Sequence, residues 1–253
     1  MYERYYRMQS KAFPGQPTPS VFFESDIHKG AFRYLLSSLE AKEPFLLVTG
    51  EYGTGKTLLY LRLLEELKKK EQAYVALSWP VGSQAELLEQ ILRAWHVPPK
   101  EKREEALLTQ LFQYLDQHSD EKRYYPIILD EVQDYQLSTL SKIRLLSNYN
   151  HDGFYPFQFV FFAHPSFLRL LSHPHQEALA QRLRRRYYLQ PFSLEETKEY
   201  IYFRLLQSGA LGSPYFPDKT VELIYRYSGG VPRIINNICD TCLLIGASQN
   251  LDV

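Results

Sequence analysis

The glycine-rich octapeptide GEYGTGKT, residues 50–57, constrains this chain more than any other segment because of what lies on either side of it. The apolar run PFLLVTG leads into it, and the leucine-rich segment LLYLRLLEELKKK follows it. A short apolar run ending in glycine is typical of a buried strand, and leucines at helical intervals are typical of an amphipathic helix. The segment therefore predicts a strand, a tight loop and a helix.

The spacing of the octapeptide matches the phosphate-binding pattern G-x-x-x-x-G-K-[ST]. Glycines let the backbone fold around phosphate oxygens, and main-chain N–H groups at the start of the following helix face the anion. We expect Lys56 to reach the β- and γ-phosphates of ATP and the Thr57 hydroxyl to bind Mg²⁺. The alternative is a plain turn, in which Lys-Thr would have no structural purpose. The predicted nucleotide-binding residues are Gly50, Glu51, Tyr52, Gly53, Thr54, Gly55, Lys56, Thr57 and Leu58.

A second apolar run, in YYPIILDEVQDY, ends in two acidic residues. Ligands of an α/β sheet gather at the carboxyl ends of its strands, so we expect Asp130 to complete the Mg²⁺ site with Thr57. Glu131, one residue further on, is the candidate general base that accepts a proton from an attacking water. The alternative is a pair of helix-capping acids, which are common after strands.

Length and charge narrow the class of protein. With 253 residues, the chain can bury a sizeable core. Its formal net charge is zero, so no overall attraction to nucleic acid or anionic lipid is implied. No apolar run approaches the roughly 20 residues that span a bilayer, and the start MYERYYRMQSK lacks the apolar core of a signal peptide. We therefore expect a cytoplasmic chain.

The sequence has two cysteines, Cys239 and Cys242, within NNICDTCLLIGA. We expect both to be core residues rather than a redox or zinc site, because cysteine is often buried and zinc needs four ligands.

Strand patterns alternate with helical patterns as far as about residue 190, and only helical patterns follow. This order predicts an α/β fold with a parallel sheet covered on both faces, and then a small helical region. Capping boxes are expected at Ser83 with Glu86 and at Ser193 with Glu196. The predicted division is an irregular N-terminal arm (residues 1–27), a nucleotide-binding α/β domain (28–190) and a helical lid domain (191–253).

Five segments, in this order, carry a resemblance to a known family: GEYGTGKT, IILDEVQD, LAQRLRRRYYL, YIYFRLLQSGA and SGGVPRIINNICD. Together with the opening YYRMQSKAFPGQPTPSVFF, they make the chain resemble AAA+ ATPases of the general secretion pathway protein A (ExeA-like) type. Related AAA+ ATPases of transposition share most of these features. The resemblance implies a P-loop AAA+ three-layer sandwich followed by an all-helical lid, with ATP turned over between neighbouring subunits.

The resemblance also implies roles for three arginines. Arg233, in GVPR, matches the lid arginine that senses the γ-phosphate; the alternative is an exposed arginine on a lid helix. Arg182 and Arg186 lie where such proteins carry an arginine finger that acts on the neighbouring subunit, a role that suits the planar, permanently charged guanidinium. Arg184 and Arg185 could instead form a solvated or DNA-facing basic surface.

Two departures from the family pattern affect the interpretation. His164, in FFAHPSF, stands where a polar sensor residue and a Gly-Gln-Pro stretch are usual, so it is either an unusual catalytic sensor or a structural histidine. Secretion-type members continue beyond the lid into a membrane segment and a cell-wall-binding region, whereas the given sequence stops at ASQNLDV. We therefore expect either a stand-alone ATPase or the cytoplasmic part of a longer inner-membrane protein.

Three functions remain open from the sequence. The first is an oligomeric, Mg²⁺-dependent ATPase that drives or switches a protein partner in an envelope secretion or pilus machine. The second is an ATP-dependent DNA-binding regulator of transposition (TniB-like), which the arginine cluster favours and the neutral charge disfavours. The third is a module that binds ATP without hydrolysing it, which the presence of Glu131 disfavours.

Overall fold

The computed structural model describes residues 2–15 and 22–251 of the chain. Part of the predicted N-terminal arm, residues 16–21, lies outside the described residues. The described residues divide into two compact units. Gly30–Gly50 and Leu59–Tyr188 form the sheet unit; the residues up to Lys29, Glu51–Leu58 and those from Leu189 onward form the helical unit.

Five strands form one sheet with the order β2-β3-β4-β1-β5. The β1–β4, β4–β3 and β3–β2 pairs are parallel, and every residue of β1, β3 and β4 is buried. Fully buried strands are expected where helices cover both faces of a parallel sheet. The α/β fold predicted from the sequence is therefore confirmed. The strands are β1 (Phe45–Gly50), β2 (Val75–Leu77), β3 (Tyr125–Leu129), β4 (Phe157–Ala163) and β5 (Arg186–Leu189).

The α-helices of the described residues alternate with the strands as predicted, with one difference in the arm. The segment SFLRLLSHPHQEALAQRL, residues 166–183, forms two short helices separated by a 3₁₀ turn, because Pro174 cannot continue a helix. A four-residue helix opens the arm, which the sequence had predicted to be irregular. The helices are α1 (Tyr2–Tyr5), α2 (Asp26–Glu40), α3 (Lys56–Lys69), α4 (Gln84–Ala94), α5 (Glu104–Gln117), α6 (Leu137–Leu146), α7 (Ser166–Leu171), α8 (Glu177–Arg182), α9 (Leu194–Gln207), α10 (Asp218–Ser228) and α11 (Pro232–Ser248).

Each unit has its own hydrophobic core. Strand side chains such as Phe159 and Phe161 pack in the sheet unit with the apolar faces of its helices. In the helical unit, Tyr2 and Phe13 of the arm are buried with side chains of α9, α10 and α11. The Arg204 side chain donates from Nε to the carbonyl oxygen of Ala12 at 2.8 Å, which fixes the arm in this core.

The predicted capping boxes differ between the two helices. At α9 the box is complete, because Ser193 and Glu196 each accept from the other's backbone N–H through their side chains. At α4 the Ser83 hydroxyl accepts from the N–H of Glu86, but the Glu86 carboxylate accepts from the N–H of Gly82 at 2.7 Å instead of that of Ser83. The second box is therefore only half formed.

The two cysteines lie on α11, and only one of them is a core residue. Cys239 is buried, as predicted, whereas Cys242 is exposed, so the prediction of two core cysteines was wrong for Cys242. Three residues do not complete a helical turn of 3.6, so the second side chain lies to one side of the buried face. No helix within residues 2–15 and 22–251 is both long enough and apolar enough to cross a membrane.

The glycine pair between α10 and α11 provides a stability test. Both residues have positive φ, +58° at Gly229 and +74° at Gly230. A Cβ on Gly230 would lie 2.0 Å from the carbonyl oxygen of Phe192, whereas nothing lies within 4 Å of a Cβ on Gly229.

We expect Gly229→Ala to lower the free energy of unfolding by about 1 kcal/mol, the cost of placing alanine in the left-handed region. Gly230→Ala should lower it by about 3 kcal/mol, since overpacking against the backbone adds to that cost. Urea unfolding of both variants measures the difference. Equal losses would show that the approach of Phe192 does not constrain this turn.

Candidate functional site

The glycine-rich loop begins where β1 ends at Gly50 and finishes where α3 begins at Lys56. Within it, Gly53 and Gly55 have φ of +83° and +103°, in the left-handed region that disfavours residues with a Cβ. These two positions therefore require glycine on conformational grounds, as the phosphate-binding pattern predicts.

Space requires glycine at the same two positions. A Cβ on Gly53 would lie 2.6 Å from the Cβ of Arg233 and 3.2 Å from Cγ1 of Val231. A Cβ on Gly55 would lie 2.6 Å from Nε2 of His28. The backbone N–H of Arg233 also donates to the carbonyl oxygen of Gly53 at 3.3 Å. The loop is thus packed against the start of α11 on one side and the start of α2 on the other.

The Lys56 side chain folds over its own loop. Its ammonium group donates to the carbonyl oxygen of Glu51 at 3.0 Å and lies 5.5 Å from the ring centre of Tyr52. Lys56 is only 4% exposed, whereas Tyr52 is 55% exposed. The Thr54 hydroxyl donates to the same Glu51 carbonyl at 2.8 Å. These bonds hold the lysine charge beside the loop backbone.

His28 is a site residue that the sequence analysis missed. Its Nε2 lies 3.0 Å from the carbonyl oxygen of Thr54, and its Nδ1 lies 2.8 Å from the Ser25 hydroxyl. A carbonyl oxygen only accepts, so Nε2 carries the proton and Nδ1 accepts from Ser25. Burial lowers the pKa of this imidazole to about 4, so the ring is neutral at pH 7. A lone histidine near a predicted helix start gave no signal that it would support the loop.

The acidic residues that follow β3, in the sheet unit, are the predicted metal ligand and the candidate general base. Asp130 is 3% exposed, and its Oδ1 accepts from the backbone N–H of Glu131 at 2.9 Å. Glu131 has φ of +51°, so the backbone turns sharply at the candidate base. A non-glycine residue in this region is strained; seven other non-glycine residues of the described part of the chain share this feature, so by itself it does not identify a functional residue.

The end of β4 is connected to the candidate base by hydrogen bonds. Gln133 donates from Nε2 to Oε2 of Glu131 at 2.6 Å and accepts at Oε1 from the N–H of His164 at 2.8 Å. Nδ1 of His164 lies 2.9 Å from the Ser166 hydroxyl and accepts from the N–H of Ser166 at 3.2 Å. The structure therefore brings Glu131 and His164 together through Gln133, which the sequence analysis did not select.

The two candidate finger arginines are both exposed but differ in their partners. The Arg182 guanidinium donates to the Ser147 hydroxyl and, at 2.5 Å, to Oδ1 of Asn148. Arg186 donates from Nε to the carbonyl oxygen of Leu183 at 2.8 Å. Arg182 is thus held by side chains of its own unit at both terminal nitrogens, whereas the bond described for Arg186 uses Nε.

The other two arginines of this segment are also exposed. Arg185 forms an ion pair with Glu43 at 2.9 Å, and Nε of Arg184 donates to the carbonyl oxygen of Gln181 at 3.2 Å. Part of the basic charge of the cluster is therefore compensated within the chain.

The residues present fit a nucleotide with Mg²⁺. Gly53 and Gly55 add no side chain of their own to the loop, and their positive φ lets the backbone curve as a cradle for phosphate requires. Each unit contains an oxygen group of the kind that Mg²⁺ prefers: the hydroxyl of Thr57 in the helical unit and the carboxylate of Asp130 in the sheet unit. Lys56 adds the positive charge expected beside phosphate groups.

His28 should make stability depend on pH in a defined direction. Because its folded-state pKa is lowered to about 4 from the usual 6.5, the unfolded chain takes up a proton first as the pH falls. The contribution of His28 is complete above pH 6.5 and is lost progressively between pH 6.5 and pH 4, by about 3 kcal/mol in total.

His28→Gln keeps a donor near Thr54 but does not titrate. We therefore expect the difference in unfolding free energy between wild type and His28→Gln to change by about 3 kcal/mol over this pH range. His175→Gln, at an exposed histidine, is the control and should show little change. A pH-independent difference for His28→Gln would contradict the neutral buried assignment.

Comparison with known proteins supports the nucleotide-binding interpretation. A family model described as an AAA domain matches residues 40–171, just over half of the chain. General secretion pathway protein A of Aeromonas hydrophila is 32% identical over 249 residues. That similarity covers 96% of this chain but only 44% of the relative, so the chain spans less than half of the relative's length.

Solved structures show the same fold at low sequence identity. The ORC2 protein of Aeropyrum pernix, in ADPNP-ADP complexes, has a TM-score of 0.67 and 17% identity, covering 96% of this chain and 68% of its own. Cdc6p of Pyrobaculum aerophilum also has a TM-score of 0.67 at 17% identity, with 93% and 68% coverage. The RuvB branch-migration motor of Thermotoga maritima has a TM-score of 0.58 at 17% identity, with 96% and 69% coverage. The phosphate loop, the parallel sheet, the helical C-terminal region and the matching family model together show that this chain belongs to the AAA domain family of P-loop ATPases.

Proposed function

We propose that the protein hydrolyses ATP with Mg²⁺ and uses the nucleotide cycle to drive or switch a protein partner. The observation that carries this proposal is the conformation of the loop after β1. Positive φ and close neighbouring atoms require glycine at positions 53 and 55, and Lys56 is buried at the end of the loop. Such a loop binds phosphate through its backbone N–H groups and lysine, and AAA family membership supports a nucleotide as the ligand.

Each candidate site residue has a separate proposed role in ATP hydrolysis. Lys56 would bind the β- and γ-phosphates, and Thr57 and Asp130 would offer oxygen ligands to the metal. When bound, Mg²⁺ would neutralise the charge that develops on the phosphate groups. Glu131 takes the proton of the attacking water, and His164 is the proposed sensor next to it.

Arg233 is the proposed lid residue for the γ-phosphate. Its backbone is fixed to the loop at Gly53, while its side chain is exposed. A rigid backbone attachment with an exposed guanidinium suits a residue that reports the state of the phosphates. The planar charged group binds phosphate oxygens in pairs.

We propose that hydrolysis occurs in an oligomer and that Arg186 is the finger supplied to the neighbouring subunit. Arg186 is preferred to Arg182 because both terminal nitrogens of Arg182 donate to side chains of its own chain, and these bonds would have to break before it could bind a phosphate. The contribution of Arg182 is then to hold α8 to the loop after α6.

The partner proposed is a protein of an envelope assembly machine, such as one for secretion or pilus formation. The similarity to general secretion pathway protein A supports this choice. A DNA-binding role in transposition is less well supported, since the net charge is zero and Arg185 pairs with Glu43. A binding module without hydrolysis would not need Glu131 beside the metal-binding aspartate.

Two variants test the chemistry. Lys56→Ala should lose nucleotide binding, because the phosphate charge is no longer neutralised at the loop. Glu131→Gln should bind Mg²⁺ and ATP but turn over at least about 100-fold more slowly, the typical contribution of a general base. Equilibrium binding of a fluorescent ATP analogue and steady-state phosphate release measure the two properties. Full turnover by Glu131→Gln, or tight binding by Lys56→Ala, would contradict the assignment.

Mixing experiments test the finger. Arg186→Ala and Lys56→Ala should each be inactive alone, but mixing them should restore part of the ATPase activity, since one interface then combines an intact loop with an intact finger. The control is Arg182→Ala, which should be less stable in urea yet retain more activity than Arg186→Ala. Turnover per subunit should also rise with protein concentration. Absence of any gain on mixing, with turnover independent of concentration, would argue against a finger acting between subunits.

A further inference from the structure

The side chain of Gln133 joins the candidate base to the neighbouring strand. Gln133 lies in the 3₁₀ turn Val132–Asp134 that follows β3, and its amide donates two hydrogen bonds and accepts one. It donates to the Glu131 carboxylate at 2.6 Å and, over a longer distance of 3.2 Å, to the carboxylate of Asp134. It accepts from the backbone N–H of His164, directly after β4, at 2.8 Å.

Both neighbours fix the orientation of this amide. The N–H of His164 can only donate, so the amide oxygen must face it, and the amide NH₂ is then directed at a carboxylate that can only accept. A glutamate would place an acceptor against an acceptor, and an asparagine is one methylene too short to span the same two partners. The position therefore selects an amide of the length of glutamine.

The bond to Glu131 is of the strong kind. A hydrogen bond to an ionised acceptor is shorter and roughly twice as strong as one between neutral groups. It acts on a residue whose backbone is already fixed in the left-handed region. With its backbone and its carboxylate both restrained, Glu131 has little freedom to leave the position in which it can accept a proton.

We infer that Gln133 is a positioning residue for hydrolysis, which holds the Glu131 carboxylate in place and ties that position to the end of β4 at His164. The inference rests on the proposed role of Glu131 as general base. Gln133 itself need not contact ATP or water. Gln133 affects turnover by holding the carboxylate of Glu131 in position.

Gln133→Met is the principal test, because methionine has a similar length but makes none of these three hydrogen bonds. We expect kcat at saturating Mg²⁺ and ATP to fall about tenfold or more, corresponding to the loss of one hydrogen bond to a charged group. The Kd of a fluorescent ATP analogue should stay within about twofold, since Lys56 and the loop are untouched. Gln113→Met, at an exposed position on α5, is the control and should change neither quantity.

A double variant separates positioning from a general loss of structure. If Gln133 acts through Glu131, adding Gln133→Met to Glu131→Gln should lower the residual single-turnover rate by less than about twofold, so the two effects are strongly non-additive. The inference would be overturned if the two losses in rate were additive. It would also be overturned if Gln133→Met kept the wild-type kcat while Glu131→Gln turned over slowly. Either result would leave the proposed function intact. Full turnover by Glu131→Gln would overturn the proposed function itself.

Folding is checked by urea unfolding of each variant. If Gln133→Met does not fold, Gln133→Glu, which preserves the size of the side chain, replaces it in the same measurements. It should also lower kcat without weakening the fluorescent analogue, because its carboxylate cannot donate to Glu131. Wild-type turnover by a folded Gln133→Glu would equally reject the positioning role.

Discussion

The conformation of the loop at Gly53 and Gly55 is the constraint on which the rest of the candidate site depends. Both glycines have positive φ, and both lie so close to neighbouring atoms that a Cβ would collide with Arg233 or His28. The backbone can therefore curve tightly while α2 and α11 support it from outside. A backbone held in this way has less conformational freedom to lose than a flexible loop, which lowers the entropic cost of ordering it.

A second constraint acts at the carboxyl ends of β3 and β4. Parallel pairing in fixed register brings residues that follow these strands to the same edge of the sheet, although Glu131 and His164 are far apart in sequence. Gln133 converts this proximity into a specific connection, because its single amide satisfies a carboxylate and a backbone N–H at once. The role proposed for Glu131 as general base thus depends on how β3 and β4 are paired.

Burial and pairing also separate residues that look alike in the sequence. His28 and His164 are both histidines near element boundaries, yet one is a buried neutral support and the other follows a strand at the sheet edge. Likewise, Arg182 and Arg186 both belong to the segment RLRRR, but their hydrogen bonds differ. These differences arise from residues distant in the chain, such as Ser147 beside Arg182, so no local pattern could reveal them.

The sequence by itself determined the α/β order, the strand that ends at the glycine loop, the loop itself and the family, because periodicity and motif spacing are local properties. It also placed Lys56 and Asp130 at the ends of the correct elements. Only the tertiary structure decided that His28 supports the loop, that Gln133 holds Glu131 and that the N-terminal arm is buried in the helical unit. Such contacts depend on which segments meet in three dimensions, and a single sequence does not encode that proximity in any local pattern.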